Sequence, residues 1–274
     1  MKHFFLITNS KKDPNCAMSN DIAQYIIDKG GSASVMDHNE AEPKDVPKNT
    51  ECIIVLGGDG TMIRVSTRME SLGIPVIGVN LGNLGYLCEL ERNTIYPAID
   101  QLFDDDYLLE NRMMLKNTGG CDQAVHLALN DIFFTSAGEQ KFIHLNVYVN
   151  GAKLNTYHAD GIIVSTPTGS TGYNLSAGGP IVNPKAELIL LTPINDHNLS
   201  SRSIALDRDD IVEVELDSRR DERDEKATVS VDGDQVYTMC VGERYQIGRA
   251  RETVLICRLS RIGFLENLRK KMEQ

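Results

Sequence analysis

At 274 residues the chain is long enough for one large domain or two of medium size, each with an ample core. Its net charge of −11 argues against a general nucleic-acid or anionic-membrane partner, yet leaves room for a local phosphate site built from backbone amides and a cation or two. No apolar run approaches the ~20 residues of a membrane-spanning helix. The N-terminal apolar stretch turns polar at Asn9, as a short strand does and a signal peptide does not. The six cysteines (Cys16, Cys52, Cys88, Cys121, Cys240, Cys257) contain no C-x-x-C pair, so reduced thiols in a cytoplasmic protein are expected rather than disulfides or zinc ligands.

The first third alternates strand and helix patterns. Residues 4–8 read as a strand. Helical spacing of Ile22, Tyr25 and Ile26 runs over 17–29 until Gly30-Gly31 stops it. A second strand is expected at 34–36, followed by a polar, proline-marked loop at 39–50. A buried strand at 52–56, a helix at 61–72, a strand at 74–79 and a helix at 94–103 come next. This order predicts a parallel sheet with helices on its faces, in which ligands bind beyond the carboxyl ends of the strands. The acidic run 104–106 reads as solvated surface.

From about residue 107 strands follow one another closely: 108–115, 125–134, 142–149, 161–165, 188–191, 211–216, 227–231 and 253–259. Asn150-Gly151 and Asp232-Gly233 are strong two-residue hairpin signals. A mainly antiparallel sandwich is expected here, with 264–272 as a closing helix. The predicted division is an α/β domain over 1–106, with the C-terminal helix packing back on it, and a β-rich domain over 107–263. The charge run 219–226 reads as a solvated loop.

Three segments carry chemistry. The run Cys-Ile-Ile-Val-Leu from Cys52 breaks into Gly57-Gly58-Asp59-Gly60-Thr61. Glycines at a strand's carboxyl end let the backbone bend and let a ligand approach the main chain, and amides at a following helix start attract phosphate. A lone carboxylate in such a loop either binds a metal, accepts a proton from a substrate hydroxyl, or only caps the helix. A second turn, Asn80 to Tyr86 with Asn83 in it, lies at a strand end as well. The adjacent Asn130-Asp131 can hold two ribose hydroxyls, or can end a strand in an ordinary turn. In 165–180 almost every residue is small, which suits a flat ligand packed on the backbone, with Tyr173 to cover a ring.

Together these segments resemble the NAD kinase family. The resemblance rests on Gly57-Gly58-Asp59-Gly60-Thr61, on Asn130-Asp131, and on Thr166-Pro-Thr-Gly-Ser-Thr-Gly-Tyr-Asn-Leu-Ser-Ala-Gly-Gly179, in that order. It spans nearly the whole chain. Lipid kinases and phosphofructokinases have loops similar to the first segment; the third is far more specific. Two positions depart: Asp131 stands where the family usually has Glu, and Gly172 where it usually has Ala.

The resemblance implies that ATP, or polyphosphate in some members, phosphorylates the 2′-hydroxyl of the adenosine ribose of NAD to give NADP. It implies a divalent metal, Mg²⁺, and partners limited to NAD and ATP. A homo-oligomer, dimer or tetramer, is implied too. Asp59 becomes the general base, and Gly57, Gly58, Gly60 and Thr61 the phosphate loop. Substrate contacts are implied for Asp59, Gly60, Asn83, Tyr86, Asn130, Asp131, Lys141, His158, Asp160, Thr171, Gly172, Tyr173, Asn174, Leu175 and Ser176. Arg64, one turn past Asp59, is a phosphate candidate, and Gln235 a further contact. The metal ligands are not identified. The rival readings are a lipid or sugar kinase sharing the glycine loop, and a non-catalytic NAD(P) sensor. The choice of ATP or polyphosphate, of NAD or NADH, and feedback by NADP stay open at this level.

Overall fold

The computed structural model describes residues 1–82, 85–138, 142–198, 201–217, 225–259 and 263–273. It divides into two compact units, 1–112 with 253–274, and 113–252. Asn83, Lys141 and most of the charge run 219–226 lie outside the described residues.

In the first unit, strands β1 (His3–Thr8), β2 (Ser32–Asp37), β3 (Cys52–Gly57), β4 (Val76–Asn80) and β5 (Leu90–Glu91) pair in parallel in the order β5-β4-β3-β1-β2. Helices α1 (Ala17–Asp28) and α2 (Asp59–Arg68) supply the β1–β2 and β3–β4 crossovers, and α3 (Ile95–Phe103) follows β5. Phe4, Leu6, Ile54 and Ile77 from the strands pack with Ile22 and Ile26 of α1 and Ile99 and Leu102 of α3 in one core cluster. Each such fully buried aliphatic side chain contributes roughly 1.5–3 kcal/mol. Because parallel strands all end on one side, the turns after β1, β3 and β4 share that edge.

In chain order the remaining strands are β6 (Leu108–Gly120), β7 (Leu127–Ala128), β8 (Asp131–Ser136), β9 (Ile143–Val149), β10 (Ala152–Ala159), β11 (Gly161–Ser165), β12 (Leu188–Ile194), β13 (Ile204–Asp207), β14 (Val212–Asp217), β15 (Lys226–Val231), β16 (Asp234–Cys240) and β17 (Arg244–Arg258). Within the second unit one antiparallel layer runs β10-β9-β14-β17, and another runs β13-β12-β11-β8-β15-β16. Leu145 and Val147, Val212 and Val214, Ile132 and Phe134, and Ile162 and Val164 fill one core cluster. The alternating burial of β14 shows one of its faces turned inward. Two further helices complete the chain, α4 (Tyr173–Ser176) and α5 (Gly263–Met272).

Both hairpin signals hold. Asn150 and Gly151 have φ of 51° and 79°, Asp232 and Gly233 of 48° and 90°, the paired positive values of a tight turn between twisted strands. The strand expected over 125–134 is instead broken into β7 and β8. At the break the amides of Leu129, Asn130 and Asp131 all donate to the Asp232 carboxylate, so they are lost to any neighbouring strand. The helix expected at 61–72 starts earlier, at Asp59, because extended Gly58 (φ −142°, ψ −176°) is its N-cap and an acidic first turn suits the helix dipole. The strand β17 begins at Arg244 rather than 253.

Candidate active site

The glycine loop sits between β3 and α2. Gly57 packs so tightly on the first helical turn that a Cβ there would lie 2.6 Å from the Cβ of Thr61. Thr61 Oγ1 in turn accepts a 3.1 Å hydrogen bond from the Asn9 side-chain Nδ2, which ties the loop to the end of β1. Gly60, at the second helical position, is exposed. Asp59 turns its carboxylate toward the segment after β4: Oδ2 accepts from the Tyr86 amide at 2.6 Å, and Oδ1 from those of Leu87 and Cys88 at 3.2 and 3.3 Å. A carboxylate offers roughly four acceptor sites. Three are occupied by amides that fix its orientation.

The receiving segment is itself held. The Arg258 guanidinium donates to the Leu87 carbonyl at 3.4 Å and lies 3.5 Å from Glu89 and 3.7 Å from Glu110. Glu110 also pairs with Arg112 at 2.5 Å. Burial, then the charge of Arg258, pulls the Arg112 guanidinium down to about 10. The Tyr86 ring carries the Lys271 ammonium of α5 at 3.6 Å from its centroid. The Cys88 thiol is pushed up to about 12 by burial and then by the Asp59 charge. Arg64 lies exposed on α2, one turn beyond Asp59.

In the second unit the turn before β8 and the small-residue segment are stitched together. Thr166 donates from its amide to the Asn130 carbonyl at 2.8 Å and from its hydroxyl to the Leu129 carbonyl at 2.6 Å. Gly169 lies flat on the same turn, since a Cβ there would be 2.2 Å from the Asn130 carbonyl oxygen. Gly172 faces the side chains, its virtual Cβ 3.4 Å from Asn130 Nδ2 and 3.9 Å from Asp131 Oδ2. Asp131 is only 4% exposed, and burial followed by the charge of Asp232 raises its carboxyl to about 7. Asn130 Oδ1 and Thr168 Oγ1 are buried without a hydrogen-bond partner among the described residues. Buried orphans of this kind are uncommon and mark a place suited to a polar ligand.

Around this turn, Tyr173 stands exposed, edge-on to Phe133 at 5.1 Å, with its phenol pushed up by burial and by the charges of Asp160 and Asp131. Thr171 is partly exposed, Leu175 likewise, and Ser176 exposed. Asn174 is fully buried: it donates to the Ser170 and Pro180 carbonyls and accepts from Thr192, so its side chain holds the loop in shape. Asp160 accepts from the Asn195 amide at 2.9 Å. His158 is exposed and lies edge-on to His144 at 4.0 Å. Gln235 is exposed on β16. Asp232 and Arg258 escaped the sequence reading as residues that hold the site. The first was legible only as a turn former, and nothing near Arg258 in sequence links it to residues 87–110. Among the described residues no group of three His, Cys, Asp or Glu converges as a metal site.

Comparison with known proteins bears on the family of the chain. The family model of the ATP-NAD kinase N-terminal domain matches residues 17–107, and that of the ATP-NAD kinase C-terminal domain matches residues 129–259. An NAD kinase of Agathobacter rectalis is 53% identical, covering 99% of both chains, and one of Lachnoclostridium phytofermentans is 40% identical with the same coverage. Among solved structures, yeast NADH kinase complexed with NADH superposes with a TM-score of 0.84 at 20% identity, covering 100% of this chain and 88% of that one. An NAD kinase from Archaeoglobus fulgidus in complex with ATP gives 0.78 at 21% identity, covering 99% and 97%. Two domain models that together span most of the chain, and full-length relatives well above 30% identity, establish that the chain belongs to the NAD kinase family.

Proposed function

We propose that the chain transfers the terminal phosphoryl group of ATP to the 2′-hydroxyl of the adenosine ribose of NAD, giving NADP, with Asp59 as general base. The observation that carries the assignment of roles is the Asp59 carboxylate, oriented by three amides and set at a helix start inside a glycine loop. Phosphoryl transfer asks mainly for positioning and charge stabilisation. A ribose hydroxyl is a poor nucleophile, and a fixed carboxylate that takes its proton contributes about 10²–10⁴-fold. Gly57, Gly58, Gly60 and Thr61 cradle the donor phosphates, since the chain has no G-x-x-x-x-G-K-[ST] loop.

Asn130 and Asp131 take the ribose hydroxyls, and the unsatisfied Asn130 Oδ1 and Thr168 Oγ1 support a polar ligand there. Thr171 to Ser176 line the base with Tyr173 against a ring, and Asp160 faces the nicotinamide end. Mg²⁺ accompanies the donor. Such an ion would be held chiefly by substrate phosphates and water. The family reading also makes the protein a cytoplasmic homo-oligomer, with polyphosphate as an alternative donor. No described helix is long and apolar enough to cross a membrane.

The test is NADP formation from NAD, ATP and Mg²⁺, with wild type beside Asp59→Asn and with tripolyphosphate as a second donor. Loss of about 10²–10⁴-fold in kcat with NAD affinity kept is the expected result. Equal turnover by both proteins would remove Asp59 as the base. No NADP from wild type with either donor would return the weight to a sensor.

A further inference from the structure

Beyond the glycine loop, one cation is built into the same edge of the sheet. The chain leaves β1 through Asn9-Ser-Lys-Lys12-Asp13. This turn is fixed from both ends. The amides of Lys12 and Asp13 donate to the Asn9 carbonyl at 2.8 and 2.9 Å, and the Asn9 side chain donates to Thr61 in the loop. Asp13, buried, accepts from the Thr8 and Ser19 hydroxyls and from the Met18 and Ser19 amides at 2.7–3.1 Å. Hydrogen bonding from Ser19, Met18 and Thr8 outweighs the burial that opposes it and holds the Asp13 carboxyl below its ordinary value, so it stays a charged anchor.

The consequence is where Lys12 ends up. Its Nζ lies 2.9 Å from the point a Cβ on Gly58 would occupy, and 3.2 Å from the corresponding point on Gly82. The ammonium therefore rests across both glycine turns, after β3 and after β4. Side chains at either position would push it away. It has no carboxylate partner among the described residues, and its side chain is exposed on the outer side. The Gly82 amide donates to Asn80 Oδ1 at 2.9 Å, which ties this glycine to the end of β4. An ammonium set over the glycine loop at the start of α2, with no carboxylate partner among the described residues, has one natural complement, a multiply charged anion.

We infer that Lys12 binds the phosphate chain of the donor, acting with the amides of the glycine loop to hold it beside Asp59. This rests on the kinase reading above for its role in turnover, but not for its ligand chemistry, a polyphosphate chain from either a nucleotide or an inorganic source. A compact ammonium suits this task, because it neutralises the chain as a point charge and follows it as the terminal group leaves.

The experiment measures binding of ATP and of inorganic tripolyphosphate by titration calorimetry, in parallel with NADP formation, for wild type, Lys12→Gln, Lys12→Arg and Lys11→Gln. Lys12→Gln is expected to weaken both anions by about 10–100-fold, the worth of a charge-assisted contact. KM for the donor should rise, KM for NAD should hold, and the melting temperature should stay within a degree or two of wild type because the side chain supports no packing. Lys12→Arg should recover most of the binding, and Lys11→Gln, with the same net charge change, should bind as wild type. Unchanged binding in Lys12→Gln overturns the inference, as does an equal loss in Lys11→Gln, which would reduce the effect to overall charge. A loss for ATP but not tripolyphosphate would also overturn it, since it would place Lys12 on the nucleoside. If wild type binds both anions in the Lys12-dependent way yet forms no NADP, the anion site stands and the kinase reading fails.

Discussion

Gly85 lies directly against the catalytic candidate: a Cβ at this position would sit 1.8 Å from Asp59 Oδ1 and 2.3 Å from its carboxyl carbon. The glycine is what lets the backbone of 86–88 close on the carboxylate with three amides. Asp59 and Gly85 come from different turns of the sheet edge, and neither makes sense without the other.

Gly85→Ala should therefore act as a displacement of Asp59 that leaves the carboxylate in place chemically. A shift of about 1 Å at a reacting group costs on the order of 10²-fold in rate. Overpacking of this kind costs about 1–3 kcal/mol in stability. The expected outcome is a kcat loss comparable with that of Asp59→Asn, with KM for NAD little changed and a melting temperature a few degrees lower. Steady-state kinetics beside a thermal melt checks it. A Gly85→Ala enzyme with normal kcat would mean that the position of Asp59 does not matter to the chemistry.

Asp131 gives a pH signature. Its carboxyl is raised from 3.8 to about 7 by burial and by Asp232. Between those values the folded state holds a proton that the unfolded chain has released, so stability from this group is full below about 4 and falls as pH rises through 7. Asp131→Asn removes the titration. Denaturant titrations at pH values on either side of that interval should show wild type losing more stability than the variant across it. In binding, an ionised Asp131 accepts the ribose hydroxyls better, so NAD affinity of wild type should rise through about pH 7 and that of Asp131→Asn should stay flat. A flat wild-type profile would place no titrating carboxylate at the ribose.

Arg258 supports the site from behind, through the Leu87 carbonyl and the Glu89 and Glu110 carboxylates. Arg258→Met removes a nearly buried cation from beside Glu89 and Glu110. Breaking such a pair costs about 3–5 kcal/mol. The expected variant folds with a melting temperature lowered by many degrees. In the temperature range where it stays folded, kcat should fall more than KM for NAD rises, because the amides that orient Asp59 belong to the residues Arg258 holds. Equal melting temperatures would show the network to be unimportant for stability.

How much of this was written in the sequence depends on the range of the interaction. The strands 52–56, 161–165 and 227–231, the helix Ala17–Asp28 and the two hairpin turns follow from local pattern, since apolar runs and Asn-Gly or Asp-Gly pairs are short-range signals. The break between β7 and β8 was not legible, because its cause is a carboxylate about a hundred residues away, at Asp232. The same holds for Gly85 and Arg258. Asn174 shows the converse. Its place in the motif marks it as a ligand contact, whereas its side chain is spent on Ser170, Pro180 and Thr192, so part of that motif's specificity is a demand of the loop's own folding.

The two glycines over the Asn130 turn separate folding demands from ligand demands. At Gly169 an added methyl would meet a backbone carbonyl at 2.2 Å, and backbone does not give way cheaply. At Gly172, where the family usually carries Ala, the nearest atoms are the Gly169 carbonyl oxygen at 3.3 Å and Asn130 Nδ2 at 3.4 Å, and the latter belongs to a side chain that can give by a few tenths of an ångström. Gly172→Ala should keep its stability within about 1 kcal/mol, as tolerated core changes do. It should keep its turnover and change KM for NAD by less than about tenfold, the equivalent of roughly 1.4 kcal/mol. Gly169→Ala should lose NAD binding, because the turn that carries Asn130 and Asp131 must move. Calorimetric titration with NAD on both variants decides it. Equal behaviour of the two would mean that the packing of this turn does not control the ribose site.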